Sequence, residues 1–331
     1  MNKIKTIFQC FGIIKGSKYI LFKLYGLILR CVFVGLGRKP KKMAKILKQT
    51  AEITDQMVRD YIYYKYKGIY HKFDFCSDDG KIPVKKIIWT AWLQGEKNKP
   101  FVIEKSIISM QKNSNDYDVV VITFENIDQY LNIDEKIMNL INNGKISYAH
   151  FTDYLRISLL KKYGGIWLDA SQFMIRSFPK EVWDSNLLLW NTVYDITDRN
   201  LYASIPFVEK FNNGFLIAKK DSLFFKFADE ITTELLFDPI LKIDYFTFFK
   251  AYLAAFEHIP VLNEEWRKMR VFNPYGLITR QLWNKPLTLK TKKIINLPEN
   301  YFFTMTYKKE WKKEIDGEPS VEEYILEKFE K

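Results

Sequence analysis

The stretch from Ala149 to Phe173, AHFTDYLRISLLKKYGGIWLDASQF, constrains this chain more than any other. Thr152 or Asp153 can cap a helix continuing through Lys162, with Leu155, Leu159 and Leu160 toward the core. Gly164 and Gly165 end that helix, because glycine accepts the left-handed conformation a C-terminal cap requires. Ile166-Trp167-Leu168 then reads as a short buried strand with Asp169 at its carboxyl end. Open α/β sheets gather their ligands at such ends. Asp153 and Arg156, three residues apart, share a helix face. A carboxylate and a guanidinium there can fix a sugar hydroxyl and a phosphate.

The flanking sequence supplies the rest of a sheet. CSDDGKIP (Cys76 to Pro83) is a turn by its Asp-Gly and its Pro, and the catalytic domain is placed to start there. Lys86 to Trp89 reads as a buried strand, and Gln94-Gly95 as a loop beyond it. Pro100 opens a helical pattern with apolar Val102, Ile103, Ile107 and Met110. Asp118 to Phe124, DVVVITF, has the β-branched run of a buried parallel strand. Strand, helix and strand in alternation predict a Rossmann-like, mostly parallel sheet flanked by helices. No internal repeat or low-complexity tract interrupts it.

Thr152-Asp153-Tyr154-Leu155-Arg156 followed by Tyr163-Gly164-Gly165-Ile166-Trp167-Leu168-Asp169 resembles the signature of the DXD-sugar glycosyltransferases. That group includes relatives of the yeast initiating mannosyltransferases and the bacterial capsular polysaccharide synthesis proteins. The capsular group looks the closer match, through Ile87-Ile88-Trp89, Trp92-Leu93-Gln94-Gly95 and Asp169-Ala170-Ser171. Weaker matches follow at Asn213 to Ala218, Asp244-Tyr245-Phe246 and Asn273 to Thr279, so the resemblance spans about residues 84 to 305. It implies a GT-A fold and transfer from a nucleotide-diphospho-sugar, a UDP- or GDP-sugar, with retention of configuration.

A departing diphosphate needs its growing charge neutralised, and a divalent cation held by a strand-end carboxylate does this. Mn²⁺ and Mg²⁺ both accept carboxylate and phosphate oxygens. The resemblance makes Asp169 the protein's carboxylate ligand, with Asp153 and Arg156 on the donor sugar and phosphates. Trp89, Thr90 and Ala91 would line the nucleotide side, and Gly165 and Asn213 would touch the donor. Arg156 can instead pair with Asp169 or Asp153 and position them. The chain departs from the DXD pattern at Ser171, a neutral and weaker ligand, which leaves more of the ion to the phosphates. Asp244 can orient or deprotonate the acceptor hydroxyl, or simply cap a helix. His258 is a candidate third metal ligand, and His150 can support Asp153 from behind.

The charge of the chain is uneven. Residues 1 to 48 hold twelve Lys or Arg and no acid, out of a formal net charge of +12. The remainder is formally neutral, with 39 basic residues (51 minus 12) against 39 acidic ones. Nucleic-acid binders carry their charge on the docking face, so no nucleic-acid partner is expected. Lys15, Lys18, Lys23 and Arg30 fall within roughly a 140° sector of a helix, beside the apolar run Tyr19 to Gly37. That layout fits a helix in the interface of an anionic membrane, its lysines toward lipid phosphates. Two charges inside the run make it a poor spanning segment, and no cleavage site follows it.

The expected organisation is therefore a membrane-associating arm over 1–50, a helical linker over 51–80, the transferase domain over 81–305 and a charged segment over 306–331. The expected location is the cytoplasmic face of the cell membrane, held peripherally, with a polysaccharide or lipid-linked acceptor. Cys10, Cys31 and Cys76 form neither a CxxC pair nor a disulfide framework. A catalytically degenerate fold that binds sugar or a partner is the alternative, motivated by Ser171.

Overall fold

The computed structural model describes residues 3–35, 41–83, 85–191 and 211–330. In chain order its strands are β1 (Ile87–Ala91), β2 (Asp118–Ile122), β3 (Gly165–Leu168), β4 (Gln172–Met174), β5 (Leu188–Trp190), β6 (Asn212–Ala218), β7 (Phe302–Thr304), β8 (Glu314–Ile315) and β9 (Glu318–Pro319). The central sheet has the order β2-β1-β3-β6-β5. β1 pairs in parallel with β2 and β3, while β6 runs antiparallel to both β3 and β5. Four strands thus share one direction and β6 opposes them, the mixed, mostly parallel α/β architecture of a GT-A fold.

The reversed strand matters for function. Leu168 pairs with Phe215, so the carboxyl end of β3 lies beside the beginning of β6. The backbone N–H of Asp169 continues the ladder by donating to the Gly214 carbonyl at 3.0 Å. Residues from both strands consequently meet at one edge of the sheet. A tight turn, closed by the Gln172 N–H on the Asp169 carbonyl at 2.8 Å, then sends the chain into β4. β4 pairs with β7, Phe173 opposite Phe303.

β3 is buried along its whole length, as its apolar sequence requires. β2 differs from expectation: it is the edge strand, stops at Ile122, and its valines are only half-buried. β1 runs to Ala91, two residues past Trp89.

The helices are α1 (Lys3–Gly35), α2 (Lys41–Lys65), α3 (Lys67–Lys72), α4 (Phe101–Asn113), α5 (Glu135–Asn142), α6 (Tyr148–Tyr163), α7 (Leu223–Leu235), α8 (Thr247–His258), α9 (Pro260–Lys268), α10 (Ile278–Leu282), α11 (Leu289–Ile295) and α12 (Val321–Phe329). Pro100 is the N-cap of α4 rather than a first-turn residue. α6 begins earlier than expected: Ser147 caps it, accepting from the His150 N–H at 3.2 Å. Thr152 instead donates to the Tyr148 carbonyl, and Asp153 lies inside the helix.

Residues 51–80, expected as a linker, pack into the body. Leu47, Val58 and Ile62 on α2 and Tyr70 on α3 are buried, spaced as one apolar face. Tyr70 donates to the Ala251 carbonyl on α8 at 3.0 Å. The segment after residue 305 likewise joins a second core, where Val321, Ile325 and Leu326 of α12 meet Phe173, Ile175 and Phe303.

α1 is the arm foreseen from the charge pattern, kinked at Gly12, whose φ of 71° only glycine adopts readily. Lys15, Lys18, Lys23 and Arg30 are all exposed, while other residues of the helix anchor it. Ile7 and Tyr19 enter the core, and Lys23 approaches Asp244 of the body at 4.0 Å. Beside these cations α1 exposes an apolar stripe, with Ile13 79% and Ile14 86% exposed and Leu21, Leu24, Leu27 and Ile28 following. Residues 36–40, with Arg38 and Lys39, lie outside the described residues. Among the described residues no helix is long and apolar enough to cross a membrane.

Candidate active site

The carboxyl ends of β1 and β3, the start of β6 and the inner face of α6 enclose a cleft of about 380 Å³. Two consecutive glycines set this geometry. Gly164, at φ 69°, ends α6, and Gly165, at φ 102°, opens β3. A Cβ on Gly165 would stand 2.7 Å from the Ile87 carbonyl oxygen, so only glycine lets β3 approach β1 this closely. Gly165 therefore acts on the backbone and does not line the cleft. Trp89 locks the same junction: its indole is buried and donates to the Gly164 carbonyl at 3.0 Å. Thr90 is buried beside it, so of these three β1 residues Ala91 alone lines the cleft.

Arg156 holds the centre. Its Nη2 lies 3.2 Å from Asp153 Oδ1 and 3.3 Å from Asp169 Oδ1, and its Nη1 donates to the Asn213 carbonyl at 2.6 Å. The guanidinium also lies over the Trp167 ring, 5.2 Å from the centroid. Asn213 Nδ2 donates to Asp153 Oδ1 at 3.3 Å, closing a ring of contacts between α6, β3 and β6. Burial pushes the Asp153 carboxyl above its ordinary value, against the pull of Arg156. Burial also works to lower the Arg156 guanidinium, but Asp169 and Asp153 outweigh it and hold it above its ordinary value. The arginine thus stays charged where a phosphate would arrive.

Asp169 is the open member of the group, its side chain 34% exposed against 9% for Asp153. Trp167 Nε1 donates to Oδ1 at 2.8 Å, leaving Oδ2 without a hydrogen bond among the described residues. Ser171, also lining the cleft, sits one turn on and gives its carbonyl to the Met305 N–H. No group of three His, Cys, Asp or Glu that could hold a metal by itself occurs among the described residues. One free carboxylate oxygen and a hydroxyl suit Mg²⁺ or Mn²⁺ only as partners of substrate phosphates, which is how Mg²⁺ is commonly bound.

Besides Gly165, Trp89 and Thr90, two more expected residues do not join the cleft. His258 stacks on Tyr63 at 3.7 Å between ring centroids, at the far end of α8. Asp244 is buried, accepting from Lys250 at 2.6 Å and from the Phe246 N–H at 3.0 Å. Burial works to raise its carboxyl, yet Lys250 and Lys23 outweigh this and hold it below its ordinary value. It closes the turn before α8, whose N-cap is Phe246, and so neither caps that helix nor faces the cleft as an acceptor base would. His150 lies behind the site and reaches the carbonyl of Tyr245 at 3.1 Å.

Sequence reasoning missed several lining residues. Arg280, exposed on α10, adds a second cation to the cleft. Trp92 and Tyr307 form a ring pair on its wall, edge to face at 5.3 Å. Trp92 and Arg280 border matched motifs, a signal that could have found them; Tyr307 lies beyond the expected domain end and had none. Asn213 Oδ1 is buried in the cleft wall with no partner among the described residues.

Known proteins resemble this chain in sequence. O-glycosyltransferase braB of Annulohypoxylon truncatum is 29% identical over 164 residues, 45% of this chain and 37% of braB. Glycosyltransferase afumC of Aspergillus fumigatus (strain CBS 144.89 / FGSC A1163 / CEA10) is 26% identical over 153 residues, 44% of this chain and 39% of afumC. The matched region spans well under half the length of either relative. Among solved structures, the PaToxG glycosyltransferase aligns with 76% of this chain and 99% of its own at 19% identity, with a TM-score of 0.36. The model of the capsular polysaccharide synthesis protein family matches residues 39–324, from just before α2 into α12 and across the whole cleft. The chain belongs to the capsular polysaccharide synthesis protein family.

Proposed function

We propose that the protein is a glycosyltransferase, of the hexosyltransferase type, that moves a sugar from a UDP- or GDP-sugar to a surface-polysaccharide or lipid-linked acceptor. The observation that carries this reading is Arg156 held between Asp153 and Asp169 at the mouth of the cleft. In it, Arg156 and Arg280 face the diphosphate, the charge-assisted contact suited to phosphate oxygens. Asn213 Oδ1 accepts from a donor-sugar hydroxyl, which would satisfy an otherwise orphaned buried atom. Trp92 and Tyr307 offer their rings to the base or sugar.

Asp169 and Ser171, with the donor phosphates, would hold the Mn²⁺ or Mg²⁺. That ion, when bound, neutralises charge on the departing diphosphate. The protein's part is to fix the carboxylate through Trp167 and Arg156 before substrate arrives.

In the proposed chemistry the bond from the anomeric carbon to the diphosphate oxygen breaks, and the acceptor oxygen bonds to that carbon on the same face. The acceptor's proton passes to the departing phosphate oxygen. This front-face course is favoured because Asp153 is buried against Arg156 and Asp169, its Oδ1 taken by Arg156 and Trp167, would give its remaining oxygen to the ion. The reading includes peripheral attachment to the cytoplasmic face of the cell membrane through the apolar face of α1.

A panel of UDP- and GDP-sugars, tested for hydrolysis with Mn²⁺, Mg²⁺ or EDTA, checks this. Turnover of one donor that EDTA abolishes supports the reading and names the sugar. Donor binding without turnover favours the degenerate binding module, and absence of both rejects the donor site. The anomeric configuration of the product, read by NMR, decides retention.

A further inference from the structure

A second cavity, of about 440 Å³, adjoins the cleft and shares Tyr245 and Phe246 with it as a common wall. α1, α2 and the segment leading into α8 supply its other walls. Its charged groups are Lys3, Lys23, Arg30 and Lys250 against Asp55 and Asp244. Lys250 lies deepest and is committed to both carboxylates, 2.7 Å from Asp55 and 2.6 Å from Asp244. Lys23 reaches Asp244 only at 4.0 Å, and Lys3 and Arg30 are exposed at the rim. Four cations against two acids leave the mouth positive. Phe22, Leu27, Leu47 and Ile243 make the remaining wall apolar.

The same helix carries the outward apolar face. Lys23, Gly26, Leu27 and Arg30 recur at three- and four-residue spacing and face the cavity. Leu27 is also 57% exposed, and Leu24 and Ile28 continue from it round the helix onto the exposed stripe. Cations alone would suit a free anion, and an apolar stripe alone would suit bulk lipid. Both in one cavity, one wall away from Arg156, suit an amphiphile whose head must reach the transfer site.

The geometry points to this cavity as the acceptor subsite for a long-chain lipid with a phosphate or diphosphate head, an inference that rests on the transferase reading above. The head lies among Lys3, Lys23 and Arg30, and the chain leaves past Leu27 along α1. The acceptor hydroxyl, on a sugar esterified to that head, passes Tyr245 and Phe246 into the cleft. The acceptor is therefore a lipid presented at the membrane, not a released polysaccharide.

Farnesyl phosphate, below its micelle concentration, is the probe, titrated calorimetrically into the full chain. Farnesol and inorganic phosphate form separate arms, and UDP and GDP report on the donor cleft. Two variants act on the cavity. Arg30→Glu reverses a rim charge. Gly26→Leu fills the space without changing charge; its Cβ makes ordinary contacts, 3.7 Å to Thr50 and 3.8 Å to Leu47, and leucine favours the helix. Farnesyl phosphate is expected to bind at least tenfold more tightly than either control and at least fivefold more weakly to each variant. With the donor found in the panel, Gly26→Leu is expected to lower transfer of labelled sugar into membrane lipid at least tenfold.

Farnesol binding as tightly would remove head recognition, and phosphate binding as tightly would remove the lipid. Unchanged binding in both variants, or unchanged transfer in Gly26→Leu, would place the acceptor elsewhere. Each of these overturns the inference. Absence of UDP and GDP binding by the wild type overturns the transferase reading, and with it the acceptor role, while the farnesyl phosphate arm still decides the lipid site.

Discussion

The indole of Trp167 donates a 2.8 Å hydrogen bond to Oδ1 of Asp169, two residues further along the chain where β3 runs out into the cleft. The strand thereby orients its own terminal carboxylate. Replacing Trp167 with Phe keeps an aromatic ring under Arg156 and removes the donor, together with part of a buried side chain whose loss a urea titration measures separately. A hydrogen bond to a charged group contributes about 1.5–3 kcal/mol, so kcat is expected to fall roughly tenfold to hundredfold. KM for the donor should change little, because Arg156 remains. Steady-state kinetics read both; an unchanged kcat would separate Trp167 from Asp169's function.

Gly165 tests the close approach of β3 to β1. Alanine there meets the Ile87 carbonyl at 2.7 Å and carries a positive φ. The expected cost is about 1–3 kcal/mol of unfolding free energy, measured by urea titration. A neutral effect would mean the two strands can separate without loss.

The Asp244–Lys250 pair gives a pH dependence of known sign. Asp244 is held below its ordinary 3.8, so it contributes stability above that value and loses it as pH falls through the lower folded value. The difference in unfolding free energy between wild type and Asp244→Asn should be constant from neutral pH down to about pH 5, and shrink under more acid conditions. Asp55, raised by burial and in part by Asp244 itself, carries the opposite sign, so the comparison is made with Asp55→Asn in both proteins. A difference that grew in acid would reverse the assignment.

The outward face of α1 predicts membrane attachment through apolar contact. Truncating the arm would confuse the test, since Ile7 and Tyr19 belong to the core. Ile14→Glu with Leu21→Glu changes exposed positions only. Each buried apolar side chain contributes about 1.5–3 kcal/mol, so the double variant should float with anionic vesicles at least tenfold less. Equal flotation would assign attachment to another surface.

The helix, double glycine, strand and carboxylate around Asp169 were legible in the sequence because local rules govern each step. Glycine conformation, β-strand burial and the three-residue spacing of Asp153 and Arg156 all act over short distances. The sequence allows Arg156 to be either a phosphate ligand or a carboxylate partner; the geometry gives it both carboxylates. What escaped was set by tertiary contacts. Tyr307 reaches the cleft from beyond the expected domain end through its ring contact with Trp92. His258 is taken by Tyr63, a partner nearly two hundred positions away by the numbering. One member of the basic sector of α1 escaped for a related reason: Lys23 reads as a contact for lipid, whereas Asp244 and Asp55 of the body attract it.

The most direct test is Asp169→Asn in a donor-turnover assay with Mn²⁺ or Mg²⁺, alongside calorimetric binding of the same nucleotide and a thermal melt. Asparagine keeps the shape and removes the charge that Arg156 pairs with and that the proposed ion would need. A folded variant that still binds nucleotide but turns donor over at least a hundredfold more slowly is the expected result. Turnover at the wild-type rate by that variant would contradict the placement of catalysis at this strand end.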